Sequence, residues 1–168
     1  MNKIYTSILF LLLNTVFVFS QNTTCNCCTS EYSQFDFWVG NWEVYNKKGE
    51  KVGENAILKM QDNCVIQENW VSKGQTGTSY NFYNKLDQSW NQVYIDSFGT
   101  VLELKGSLIN NEMVLESKKI KSTKADFHYF NRITWSKQEN GDVRQKWEII
   151  GEDNKVIQVA FDGIYKRK

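Results

Sequence analysis

From Phe35 to the C-terminus the chain keeps one rhythm: short segments alternate apolar and polar side chains, and each ends in turn residues. The alternation predicts strands over 41–46, 51–60, 64–71, 76–83, 89–96, 100–106, 112–119, 127–136, 142–150 and 156–165. Asn140-Gly141 is the strongest hairpin signal, because both residue types tolerate positive φ. The connections are too short for a crossover helix, so sequential neighbours must be antiparallel and the topology an up-and-down meander. A sheet of about ten strands twists and closes, which removes the edges that invite aggregation. The expected fold is therefore all-β, a closed antiparallel barrel. A β-sandwich is the structural rival, but it usually needs a longer Greek-key connection, and none is present.

Composition agrees with strands around a pocket. Six Trp, eight Tyr and ten Phe accompany a complete lack of Pro. Large amphipathic rings suit half-buried strands and cavity walls. Twenty basic residues against nineteen acidic ones leave a net charge of +1, which excludes the basic footprint of a nucleic-acid binder. Without an internal repeat or charge block, residues 35–168 read as one domain.

Residues 1–20 read as a signal peptide. Lys3 provides the positive start, Ile8 to Leu13 the apolar stretch, and Val18-Phe19-Ser20 the small-residue cleavage pattern before Gln21. Asn14 and Thr15 interrupt the apolar run, which argues against a membrane anchor needing about 20 apolar residues. Asn22-Thr23-Thr24 are too polar for a lipidation box ahead of Cys25. No later segment is apolar enough to span a bilayer, so an exported protein of the periplasm or extracellular space is expected. Residues 21–34 form a tail carrying Cys25, Cys27 and Cys28, and Cys64 lies beyond it. In an exported chain these four are disulfide candidates. Adjacent Cys27 and Cys28 are poor partners for each other, so a link from the tail to Cys64 is expected. A thiolate metal site lacks the paired spacing of zinc modules, and no metal is expected.

The opening Phe35-Asp36-Phe37-Trp38-Val39-Gly40-Asn41-Trp42-Glu43-Val44 resembles that of a domain-of-unknown-function family of secreted bacterial proteins with an F-D-F-W-x-G-x-W-x-V signature. Further elements follow in the same order: Glu68-Asn69-Trp70, Ser79 to Tyr83, Trp90-Asn91-Gln92, Arg132 to Trp135, Arg144 to Glu148 and Phe161 to Tyr165. The resemblance covers nearly the whole mature chain and implies a calycin-type, lipocalin-like barrel with no assigned activity. Gly40-Asn41-Trp42 has the G-x-W form of the first strand in such barrels. There a short N-terminal helical plug leads into the strand and the Trp packs across the closed end. Phe35, Phe37 and Trp38 would weight the plug, and Gly40 would allow the tight turn without a Cβ clash. Arg167 would cover Trp42 by a cation–π contact worth about 0.5–2 kcal/mol. These residues are expected to be structural.

Strand parity groups the candidate site residues. Glu68 and Trp70 share a face, as do Gln92, Tyr94 and Asp96, and Gln145 shares one with Trp147. His128, Phe130, Arg132 and Thr134 share another. Mixed aromatic and polar faces suit a pocket that stacks a ring and hydrogen-bonds its edge. The expected function is binding of a small apolar or aromatic molecule by a carrier or sensor. Trp70, Tyr94, Trp135 and Trp147 would hold it, with Glu68, Gln92, Arg132 and Gln145 fixing its orientation. The alternative is a barrel enzyme, an isomerase, cyclase or lyase, in which Glu68 or His128 moves a proton. A third reading is a structural envelope protein with a filled interior. An open cavity holding one ionisable group of perturbed pKa would favour the enzyme, and one without it the binder. No cofactor is expected, although haem would have to use His128, the chain's single His. No nucleophile elbow or Gly-rich phosphate loop is present. N-terminal sequencing of the exported protein should start at Gln21 or within a few residues; a mature form that keeps Met1 or carries acyl chains on Cys25 contradicts the leader.

Overall fold

A computed structural model describes residues 25–123 and 125–168, so the leader and residues 21–24 lie outside the described part. Two 3₁₀ turns, Ser30–Ser33 and Asp36–Trp38, precede eleven strands. The strands are β1 (Gly40–Asn46), β2 (Lys51–Met60), β3 (Val65–Ser72), β4 (Gln75–Asn84), β5 (Ser89–Asp96) and β6 (Val101–Ile109). They continue with β7 (Glu112–Glu116), β8 (Ile120–Lys121), β9 (His128–Lys137), β10 (Val143–Gly151) and β11 (Val156–Arg167). Every pairing is antiparallel between neighbours in the meander, and β11 pairs with β1 while β10 joins β9 to β11. Ten strands thus close into a barrel, and the two-residue β8 lies on β9 beyond the end of β7.

The expected strand over 112–119 ends early, at Glu116, and the short β8 lies beyond its range. At Ser117 the side-chain hydroxyl, not the backbone carbonyl, accepts from the Asn131 N–H at 2.9 Å. The same hydroxyl donates to the Lys118 carbonyl at 2.8 Å. Side-chain competition of this kind interrupts a ladder, and the chain leaves the sheet before returning as β8. Elsewhere the expected strands agree with the observed ones to within a few residues at their ends.

Because successive strands alternate direction, the N-terminal segment, the 61–64 and 85–88 turns and the C-terminus gather at one end of the barrel. Phe35, Trp38, Trp42, Trp90, Trp135 and Tyr165 pack there with Ile57, Ile66, Met113, Leu115 and Val143. Phe35 stacks on Trp38 at 4.9 Å between ring centroids and meets Trp90 and Trp135 edge-on at 5.6 and 5.2 Å. Such pairs add about 0.5–1.5 kcal/mol each beyond area burial. Trp42 is wholly buried; its Nε1 donates to the Trp38 carbonyl at 2.8 Å. It lies opposite Arg167 in the β1–β11 register, and that guanidinium covers its ring at 4.5 Å from the centroid. Gly40, at φ +146°, lies under this contact: a Cβ there would come 2.6 Å from Arg167 Nη1.

The cysteines fasten the same end. Cys27 bonds Cys64, across 37 residues, and Cys25 bonds Cys28. In the chain-entropy account the long link contributes about 3–4 kcal/mol and the three-residue link about half as much. Trp42→Ala would empty a fully enclosed site and should cost about 3–5 kcal/mol. A variant melting within a degree or two of the wild type would show that the closed end does not depend on Trp42.

Candidate functional site

Toward the other end the interior is open. A cavity of about 260 Å³ is lined by Trp70, Tyr94, Leu102, Trp147 and Phe161 at mid-depth, with Ile133 and Trp135 below. Glu68, Gln92, Gln145 and Tyr165 supply its polar floor, and Gln75, Asp96, Thr100 and Ala160 its mouth. A second, outer groove of about 560 Å³ runs along β5 and β6 toward residues 116–120 and mixes charged with apolar side chains.

Parity explains which residues meet. Glu68 and Trp70 enter from β3, Gln92, Tyr94 and Asp96 from β5, and Gln145 and Trp147 from β10. Trp135 enters from β9, and Arg132, three residues earlier on that strand, must then point outward. Arg132 does not line the cavity: its Nε donates to Glu116 Oε1 at 2.7 Å and its guanidinium lies over Phe130. Arg132 and Trp135, three residues apart, cannot share a face at a two-residue period, so the expectation that Arg132 orients a ligand fails, and the inward set on β9 is Asn131, Ile133 and Trp135. His128 is exposed at the start of β9, with Nδ1 2.9 Å from Glu152 Oε1. It is absent from the cavity wall, so an axial haem ligand from His128 would stand outside the barrel. Among the described residues no three His, Cys, Asp or Glu side chains are grouped to hold a metal ion.

Between the aromatic floor of the closed end and the cavity runs a hydrogen-bonded belt of side chains. Gln92 Nε2 donates to Asn81 Oδ1 at 2.7 Å, and Asn81 Nδ2 donates to Ser79 Oγ at 2.9 Å. Ser79 Oγ donates to Glu68 Oε2 at 2.6 Å, while Asn55 Nδ2 donates to Glu68 Oε1 at 2.7 Å. Asn55 Nδ2 also approaches the Tyr165 hydroxyl at 3.4 Å, and that hydroxyl donates to Gln145 Oε1. The belt therefore crosses β5, β4, β3, β2, β11 and β10 and converges on one carboxyl group. Asn55 Oδ1 remains a buried acceptor without a donor. Gln92 Oε1 and Gln145 Nε2, at the two ends, make no hydrogen bond among the described residues.

Burial sets the acidities. Glu68 is 7% exposed, and loss of water pushes its carboxyl above the usual range despite the opposing bonds from Ser79 and Asn55. Burial, and then the charge of Glu68, raises the Tyr165 hydroxyl well above its ordinary value. Tyr94 is pushed up to about 12 by burial, with Glu68 and Asp96 adding to the effect. Burial also works against ionisation of Asp96, but the N–H groups of Thr100 and Phe98 outweigh it and leave the group below its ordinary value.

Two glycines shape the walls. A Cβ on Gly77 would stand 2.2 Å from the Tyr94 hydroxyl, and one on Gly53 would meet the Trp70 ring at 2.5 Å. Both lie inside strands, where the bare backbone lets a neighbouring ring lie flat against it. Sequence reasoning placed Gly77 inside the strand over 76–83 and missed this role. It also missed Phe161, Tyr165 and the polar trio Asn55, Ser79 and Asn81. A Gly within an alternating segment was the available signal for the first; short polar residues on strands carry none.

No family model matches this sequence, and no curated protein is significantly similar to it.

The raised Glu68 pKa has a defined consequence for stability. Its contribution is fully present below the unfolded value, near pH 4.5, and is lost as pH rises through the folded-state value. Glu68→Gln removes that loss, and all other ionisations cancel in the comparison. The variant should melt close to the wild type in acid and several degrees above it at neutral pH. A melting difference that stays constant from acid to neutral pH would contradict a Glu68 whose carboxyl is raised by burial.

Proposed function

We propose that this protein is an exported, calycin-type barrel that binds one small aromatic or apolar molecule in its interior cavity. The observation that carries the reading is a cavity of about 260 Å³ with Trp70, Tyr94, Trp147 and Phe161 on its walls. The belt beneath it offers a free acceptor at Gln92 and a free donor at Gln145. A dry cavity of about 150 Å³ accepts benzene, so this one suits roughly one to two fused rings. Ring faces against indole and phenol walls, with a polar edge directed to the floor, match how small-ligand sites divide affinity from orientation. An interior filled for structure alone would leave no such volume.

The calycin reading draws on the G-x-W opening and on Trp42 beneath Arg167. In that reading Phe35 and Trp38 act as the plug of the closed end. The two disulfides fit an oxidising compartment, and among the described residues no helix is long and apolar enough to cross a membrane.

Glu68 supports a second reading, acid–base chemistry on the bound molecule. A carboxyl whose hold on its proton is strengthened by burial at the floor of a cavity is placed to donate that proton. Both of its oxygens are engaged by Asn55 and Ser79, which favours a fixed hydrogen-bonding role over a mobile one.

Native mass spectrometry of protein purified from its own host should reveal a small co-purifying molecule. The same measurement on Trp147→Ala should show the adduct lost or strongly reduced in a protein that still melts cooperatively. Bare protein in the wild type, or an adduct that survives in Trp147→Ala, would count against this cavity as the binding site.

A further inference from the structure

We infer that the cavity selects a ring-bearing molecule with a protonated amine and rejects carboxylates of the same size. The inference rests on the binding reading above and concerns the charge of the ligand. It begins from the residues that line the space. Two carboxyl groups reach the cavity, Glu68 at the floor and Asp96 at the mouth, and no Lys, Arg or His lines it among the described residues.

The basic side chains on the strands around the cavity are engaged elsewhere, and Lys73, exposed in the turn between β3 and β4, is not among the lining residues. Arg132 pairs with Glu116, Arg144 with Asp162, Lys146 with Glu148 and Arg167 with Trp42, all away from the cavity. An entering carboxylate would therefore shed water without finding a cation, a heavy penalty in a low-dielectric site. It would also pass the fixed negative charge of Asp96 at the mouth and meet a second acid, Glu68, at the floor.

A cation meets the opposite conditions. Trp70, Tyr94, Trp147 and Phe161 present aromatic rings, whose faces are electron-rich and attract an ammonium group. Gln92 Oε1 and an ionised Glu68 can accept from a donor, while Gln145 Nε2 and the buried Trp135 Nε1 are uncommitted donors, so the charge preference rests on the acids and the ring faces. Asp96 holds its position through the Phe98 and Thr100 N–H groups at 2.9 Å and Gln75 Nε2 at 3.0 Å, so a negative charge is fixed at the entrance. Tyr94 stands between the two acids and senses both. The lining thus combines aromatic faces with acids at both depths.

The test uses three probes of one ring system, each titrated calorimetrically at neutral pH: tryptamine as the cation, indole as the neutral ring and indole-3-acetate as the anion. Tryptamine should bind about tenfold or more tightly than indole-3-acetate, the scale of cation–π and charge effects in a partly desolvated site. Asp96→Asn and Glu68→Gln should each narrow that ratio, with melts confirming that both variants are folded. If indole binds and indole-3-acetate equals or exceeds tryptamine, the charge preference is overturned while ring binding stands. A ratio that neither variant changes overturns the assignment to these two acids. If none of the three probes binds, the binding reading itself fails, and this inference falls with it.

Discussion

The pairing of β1 with β11 turns a meander into a barrel, and the interior exists only because of it. Trp42 faces Arg167 and Val44 faces Tyr165 across that seam. Without the seam Trp42 and Tyr165 would lie on open edges, and the aromatic cluster that seals one end would have no enclosing wall. The cysteines serve the same closure from outside, since Cys27–Cys64 holds the lead-in segment to the turn between β2 and β3. Closure also fixes parity, because every strand must send one of its two faces inward.

Given a closed interior, the polar belt is the less expected element. Buried amides and hydroxyls without partners would each cost about 1–3 kcal/mol. Here Gln92, Asn81, Ser79, Glu68, Asn55, Tyr165 and Gln145 are joined in one hydrogen-bonded series, with Asn55 Oδ1 left as an unpaired acceptor. Such a series orients its members and separates two regions with different requirements. Below it, rings pack against one another around Trp38; above it, space remains. The closed end can therefore carry stability while the cavity end is left free of that duty.

Much of the fold was legible because period-two alternation and turn residues are local signals. The site was legible in part. Glu68 with Trp70, Gln92 with Tyr94, and Gln145 with Trp147 share faces by parity alone, and parity needs no structure. Parity does not say which face is inside, and on β9 the answer takes Trp135 inward and leaves Arg132, three residues earlier, outside. Asn55, Ser79 and Asn81 escaped notice because short polar residues in strands read as solvent-facing until their partners on other strands are known. Those partners belong to pairings set by closure, over sequence distances as great as that from Asn55 to Tyr165.

The positions of Gly53 and Gly77 have a consequence for how this interior could diverge. Each removes a side chain where a ring of the next strand leans on the backbone, so the width of the cavity is written partly in missing atoms. A single methyl at Gly77 would displace the Tyr94 ring, whereas one at Gly53 would meet the Val71 carbonyl as well as Trp70 and would force the strand pairing itself to give. Relatives carrying Ala or Ser at the Gly77 position would hold a differently shaped chamber on the same scaffold, with the sealed end untouched. Ligand range in such a barrel could change in one-carbon steps, without any change to the residues that meet the ligand.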